Sequence, residues 1–284
     1  MFKLEIETEN GAKLKLTQNE SKYQIIKIDG LNPPKATINT SKVATINGVK
    51  FKSSKLNERE IVLTIKINGD VEKNRLNLYQ YFGTGKYCKL YYSNDSRNVY
   101  CEGHIETIEC DLFVIDETMQ ISIICENPYL FALKNMTMDI SKTFSNFEFP
   151  FSIDENGIEF SMFDFHRQAQ VVNMGELETG IIISLKAKSN NIQNPIIYNA
   201  VTGQFLKLNI TMNNGDEIVI NTNRGKKSVK KIIDGVVSNA MNTFVTGSTW
   251  LSLDAGSNFF TYTADTNEEF LYVDFEYNTL YEGV

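Results

Sequence analysis

Histidine, tryptophan, proline and cysteine are all scarce in this chain of 284 residues, with two, one, five and four of them respectively. Each shortage removes a class of chemistry. His104 and His166 have no second histidine or cysteine at metal-ligand spacing, so no metal site is expected. Cys88, Cys101, Cys110 and Cys125 fit no zinc or redox pattern and read as free thiols, most of them buried in β-like runs. No apolar run is long enough to cross a bilayer. The segment from Met1 to Glu7 alternates charge with apolar residues where a signal peptide would be continuously apolar. No membrane association and synthesis in the cytoplasm are the expectation. Positive charge is also short: the net charge is −7 and the pI about 5.1, which excludes a general attraction to nucleic acid or anionic lipid.

The acidity is uneven. Through Phe144 there are 19 Lys and Arg against 18 Asp and Glu, whereas the remainder has 9 against 17. One stretch goes against the overall sign: Lys35, Lys42, Lys50, Lys52, Lys55 and Arg59 are spread through a segment rich in Ser, Thr and Asn. It reads either as a solvated loop or hairpin or as a specific contact surface.

What is abundant is alternation. In Glu60-Ile61-Val62-Leu63-Thr64-Ile65-Lys66-Ile67, four apolar residues share one face, the pattern of a half-buried strand. Similar runs recur from Lys3 to Tyr277, mostly separated by Gly, Asn and Asp, and this spacing points to antiparallel sandwiches or barrels. The exception is Asp70 to Gly83. An N-capping Asp, an apolar stripe through Val71, Leu78, Tyr79 and Phe82, and a closing Gly predict one α-helix. Glu126-Asn127-Pro128 ends a strand and Phe147-Glu148-Phe149-Pro150-Phe151 has the character of an ordered linker. The expected organisation is mainly β: an antiparallel β-sandwich with one helix over 1–138, a linker over 139–152, and a second antiparallel β-sandwich over 153–284.

The stretches that superficially suggest catalysis do not sustain it. Gly83-Thr84-Gly85-Lys86 and Arg224-Gly225-Lys226-Lys227-Ser228 lack the leading glycine and following helix of a phosphate loop. Glu176 and Glu178 stand in a Gly-flanked loop, where solvation would keep both carboxylates ionised. Gly247-Ser248-Thr249 has no nucleophile-elbow frame. No enzyme activity and no cofactor are therefore expected. Trp250 is open to two readings, a core plug or a sugar-stacking platform. The pair His166-Arg167, beside Phe163 and Phe165, is likewise open to a domain-interface role or a contact with glycan or partner.

Four turn-rich signatures follow one another in the second half. They are Asn173-x-Gly175-x-x-Glu178-Thr179-Gly180, Asn194-Pro195-x-Ile197-x-Asn199-x-x-Thr202-Gly203, Gly215-Asp216-x-Ile218-x-Ile220-Asn221-Thr222-x-x-Gly225 and Gly247-Ser248-x-Trp250-x-x-Leu253-x-x-Gly256-x-Asn258. The first half carries Ile28-Asp29-Gly30-Leu31, the run from Arg59 with the helix that ends at Phe82, and Cys125-Glu126-Asn127-Pro128-Tyr129. In order and spacing, these segments resemble the siphovirus tail component family, the distal tail proteins of long-tailed bacteriophages. The resemblance implies a galectin-like second domain and a homohexameric ring, located at the virion tail tip. Implied partners are the major tail tube protein, the tail-associated hub protein, the tape measure protein and receptor-binding or fibre proteins. DNA would pass through the lumen without specific binding. On this reading the Lys35 to Arg59 segment is the candidate ring contact. The competing reading is a carbohydrate-binding receptor-recognition module carried by His166, Arg167 and Trp250.

Overall fold

The computed structural model describes residues 2–16, 22–42, 44, 45, 47–112, 114, 116–140 and 169–284. The chain divides into two compact units, Met1–Leu133 with Leu280–Val284, and Lys134–Thr279. Most of the expected linker, together with His166 and Arg167, falls outside the described residues.

Strands of the first unit are β1 (Lys3–Thr8), β2 (Lys13–Leu16), β3 (Tyr23–Asp29), β4 (Ala36–Ser41), β5 (Lys50–Leu56) and β6 (Arg59–Ile67). Helix α1 (Val71–Tyr81) follows, then β7 (Tyr87–Ser93), β8 (Asn98–Cys110), β9 (Thr118–Cys125) and β10 (Leu130–Ala132). A continuous antiparallel sheet runs β2-β1-β7-β8-β9-β6-β3, and its two end strands come together, so the sheet rolls around one core. Strict alternation builds that core: Ile61, Leu63, Ile65 and Ile67 of β6 all point inward, facing Leu4, Ile6, Leu90, Ile105, Ile121 and Ile123. The helix closes it with Leu78 and Phe82, both fully buried. Tyr79, expected on the same stripe, is 40% exposed instead, because one residue turns it about 100° from Leu78. Polar contacts fix the helix on the sheet. The Tyr23 hydroxyl donates to the Asn74 carbonyl (3.2 Å) and accepts from Asn77 Nδ2 (2.8 Å), while the buried Asn74 side chain donates to the Asn68 carbonyl (2.7 Å). Cys88, Cys101 and Cys125 are buried on adjacent strands as free thiols, and burial pushes Cys88 up to about 12.

The second unit begins with β11 (Met136–Asp139), β12 (Ala169–Asn173), β13 (Thr179–Ala187), β14 (Ile192–Gln193), β15 (Ile196–Asn199), β16 (Phe205–Lys207) and β17 (Thr211–Met212). It continues with β18 (Glu217–Asn221), β19 (Ser228–Ile233), β20 (Val236–Asn239), β21 (Ser252–Leu253), β22 (Gly256–Thr263) and β23 (Leu271–Tyr277). One sheet runs β11-β23-β13-β18-β19-β20 and a second runs β12-β22-β15-β16. Their inner faces share one core, where Phe260 of one sheet meets Phe275 of the other edge-on at 5.0 Å. The sequence run from Phe205 to Met212 is interrupted rather than continuous, since Leu208 leaves β16 to bridge Phe244.

Two boundaries differ from expectation. Strand β11, placed by sequence in the first domain, pairs with β23 and so belongs to the second unit. The last strand, β24 (Leu280–Tyr281), pairs with β10 and belongs to the first. Pairing across the chain ends decides both, and no local pattern in the sequence reports it.

Candidate functional site

The lysine segment folds as a two-stranded ribbon. Asn32-Pro33-Pro34 leads into it: the prolines fix an extended course and offer no N–H, which prevents β3 from continuing in the sheet. Strands β4 and β5 then pair antiparallel from Ala36↔Leu56 to Ser41↔Lys50, with a bulge between Asn39 and Thr40. Side chains bridge the strands through Asn39 Nδ2 to Ser53 Oγ (3.0 Å), and Thr37 Oγ1 reaches Asn57 Oδ1 at the base (2.8 Å). Among the described residues neither strand pairs with anything else. Both faces are open to solvent, and Ile38 (53% exposed) and Phe51 (59%) share one of them, because Thr40 pairs with Phe51. Lys35, Lys42, Lys50, Lys52 and Lys55 are all exposed. The bulge leaves Lys52 opposite no residue of β4, while Lys50 and Lys55, opposite Ser41 and Thr37, share one face.

Arg59 does not belong with them. It is 2% exposed and takes the inward parity of β6, two residues before Ile61. Its guanidinium gives four bonds to backbone carbonyls: Nε donates to Pro128 (2.8 Å), Nη1 to Asn32 (2.9 Å) and Gly30, and Nη2 to Glu282 (2.6 Å). Burial lowers its pKa, and the ring of carbonyl dipoles offsets that penalty. As a candidate for ring contact through its side chain Arg59 is therefore corrected to an internal clasp. The clasp joins the two turns at the ribbon's base to the chain's C-terminus. Val284 N donates to Leu31 O (3.2 Å), Arg97 donates to the Gly283 carbonyl, and the Arg97 guanidinium lies 4.7 Å from the Tyr281 ring centroid. Gly30 must be glycine here, since its φ is +90° and a Cβ would lie 1.9 Å from Glu60 O.

In the second unit the four signatures resolve into turn-closing side chains. Asn173 Nδ2 donates to Leu177 O (2.8 Å) and Leu253 O (3.2 Å), and Asn199 Oδ1 accepts from Val201 and Thr202 N–H groups (3.0 and 3.1 Å). Thr222 Oγ1 accepts from Ile181 N (2.7 Å), and Asn258 Nδ2 donates to Asp254 O (2.8 Å). Asp216 accepts from Asn213 N (3.0 Å) and pairs with Lys231 (2.8 Å). Burial pushes its carboxyl up, but these two partners prevail and hold it below the ordinary value. All five residues are buried, so they satisfy backbone at strand ends instead of facing a ligand.

Trp250 packs, half-buried, on the second core. It stacks on Phe244 at 4.5 Å between centroids, and the Lys227 ammonium lies 5.4 Å from its centroid. Phe244 occupies one face of the Trp250 ring. The sequence missed the clasp and the C-terminal staple, although the shared parity of Arg59 and Ile61 was a usable signal.

Two family models match the sequence. One is described as a phage tail protein RIFT-related domain and covers residues 9–108. The other is described as the C-terminal domain of the siphovirus-type tail component and covers residues 174–281. Among solved structures, the Dit protein of phage SPP1, described as a paradigm of the hub adsorption apparatus in phages infecting Gram-positive hosts, is similar with a TM-score of 0.69. That match has 13% identity and covers 98% of each chain. The baseplate of phage P2 in its activated conformation is similar in its calcium and strontium forms, both with a TM-score of 0.53, at 11% and 10% identity and with full coverage of both chains. At these identities the likeness shows a shared fold. No curated protein sequence matches the chain.

Proposed function

We propose a ring-forming role for this chain, which belongs to the siphovirus-type tail component family and is a structural protein of a phage tail. Six copies would close a head-to-tail ring at the tail tip. That ring would join the major tail tube protein to the tail-associated hub, next to the tape measure protein, and would carry receptor-binding or fibre proteins on its periphery. DNA would cross the lumen without specific contacts. No catalytic role is part of this proposal.

The observation that carries it is the β4–β5 ribbon. An isolated two-stranded hairpin is marginal in water, and this one presents two open edges, exposed Ile38 and Phe51, and five exposed lysines. A heterologous cyclic interface supplies each ribbon with a neighbour's surface while leaving no copy unpaired. The near balance of charge in the first half suits close packing of several copies, where like-charge repulsion would be costly.

Native mass spectrometry with negative-stain imaging tests the proposal. Six copies of a 32.3 kDa chain give a closed particle of about 194 kDa. A strict monomer at all concentrations up to about 100 µM, where even a weak ring contact would populate oligomers, overturns it. Replacing residues 37–55 by a short Gly-Ser turn should leave a folded monomer that closes no ring. An intact ring from that variant removes the ribbon from the interface.

A further inference from the structure

A second exposed ribbon lies in the other unit and is independent of the ring proposal. Strand β20 ends its sheet, and among the described residues no strand pairs with its outer edge. Its turn, Asp234-Gly235, has both residues at positive φ (48° and 79°), the two-residue form that closes a hairpin with a hydrogen-bonded pair, here Ile233↔Val236. Two places of the same parity further along, Ala240 N donates to Val229 O (2.9 Å). The backbone groups of Val236, Ser238 and Ala240 therefore face β19, and those of Val237 and Asn239 face outward.

Such an edge is normally blunted by a charge, a proline or a bulge of its own. Strand β20 reads Val-Val-Ser-Asn and has none of these, while Val236 and Val237 are 70% and 58% exposed. Lys230, opposite Asn239 across the hairpin, is exposed, as are Arg224, Lys226 and Lys227 in the turn that leads into β19, against one exposed carboxylate, Asp234, in the hairpin turn. Lys231 is already taken by Asp216. The basic flank repels the same ribbon of a second copy and attracts an incoming strand of opposite charge.

We propose that the outer edge of β20 takes up, as an added strand, an extended segment of a partner protein in which acidic side chains alternate with apolar ones. The outward N–H and C=O groups of Val237 and Asn239 would bond its backbone. Val236 would cover its apolar side chains on one face, and Lys230, on the opposite face with Val237 and Asn239, would meet its carboxylates.

Amide hydrogen exchange on the full chain tests this with two end-blocked ten-residue probes, one alternating Glu with Val and the other Lys with Val. The Glu peptide is expected to slow exchange at Val237 and Asn239 by about tenfold, and the Lys peptide to leave it unchanged. Val237→Pro removes an outward N–H without touching a hairpin bond, and should abolish protection while circular dichroism and Trp250 fluorescence stay as they were. Should that variant misfold, Val237→Glu keeps the N–H, repels the acidic probe and should give the same loss. Equal protection by both peptides, or protection retained in the folded variants, overturns the proposal. Protection that grows with protein concentration alone assigns the edge to a second copy and overturns it as well.

Discussion

The two ribbons differ in how each is held. Strand β19 of the second unit is paired with β18 and tied by Lys231 to Asp216, so only β20 depends on its hairpin partner. The β4–β5 ribbon has no such sheet; its order comes from its own ladder and from its base. That base is a buried polar clasp, not an apolar core, with Arg59 drawing together carbonyls from three separate stretches of chain. A ribbon with both faces in solvent gains little from burial in the single chain, so its direction is set by geometry at the root. The difference teaches that the same hairpin architecture is an extension of a sheet in one place and a lever on a fixed hinge in the other.

The largest effect is expected from breaking the hinge. Arg59→Ala leaves a set of buried carbonyls without a donor and should cost about 3 kcal/mol or more. Circular dichroism should report an early transition while fluorescence of Trp250, which sits in the other unit, changes late. Arg59→Lys should recover only part of the loss, because an ammonium cannot span the fork. Gly30→Ala should cost about 2 to 3 kcal/mol in the same assay, combining a positive-φ penalty with a displaced Glu60 carbonyl. Deleting Leu280–Val284 removes four of the clasp's connections, through Tyr281, Glu282, Gly283 and Val284, together with the β10–β24 pairing, and should cost about 1 to 2 kcal/mol, with amide exchange accelerating at the ribbon's base more than in β13 or β18.

Acid sharpens the contrast from the other side. Because the folded pKa of Asp216 is depressed, its contribution is fully present above the unfolded value near ~3.9 and is lost as pH falls through the lower folded value. Asp216→Asn should flatten that portion of the stability curve in a denaturant titration at several pH values, loosening β19–β20 and not β4–β5. The smallest effect is expected at the ribbon surface. Ile38→Ser and Phe51→Ser should change monomer stability by no more than about 0.5 kcal/mol, while the ring signal in native mass spectrometry falls.

Much of this was legible residue by residue. The alternation in Glu60 to Ile67 gives β6 and its buried face, and Asp70 with Leu78 and Phe82 gives the helix, because both patterns are local. The signatures told truthfully that turns recur, but whether Asn173 or Asn258 faced a ligand or a backbone carbonyl depended on strands far away in sequence. The lysine segment showed its polarity and charge; that it pairs with itself alone does not follow from composition. Arg59 was misplaced because it was grouped by charge when its parity with Ile61 was the better guide.

By itself the sequence determined the class of the fold, the strand faces and helix α1, since each follows from nearest-neighbour chemistry. Only the tertiary structure decided that Leu280–Val284 returns to the first unit, that Arg59 closes around that return, and that one ribbon stands free while the other edges a sheet. Those outcomes rest on hydrogen bonds between backbone groups distant along the chain, and every residue carries the same backbone donor and acceptor whatever its side chain.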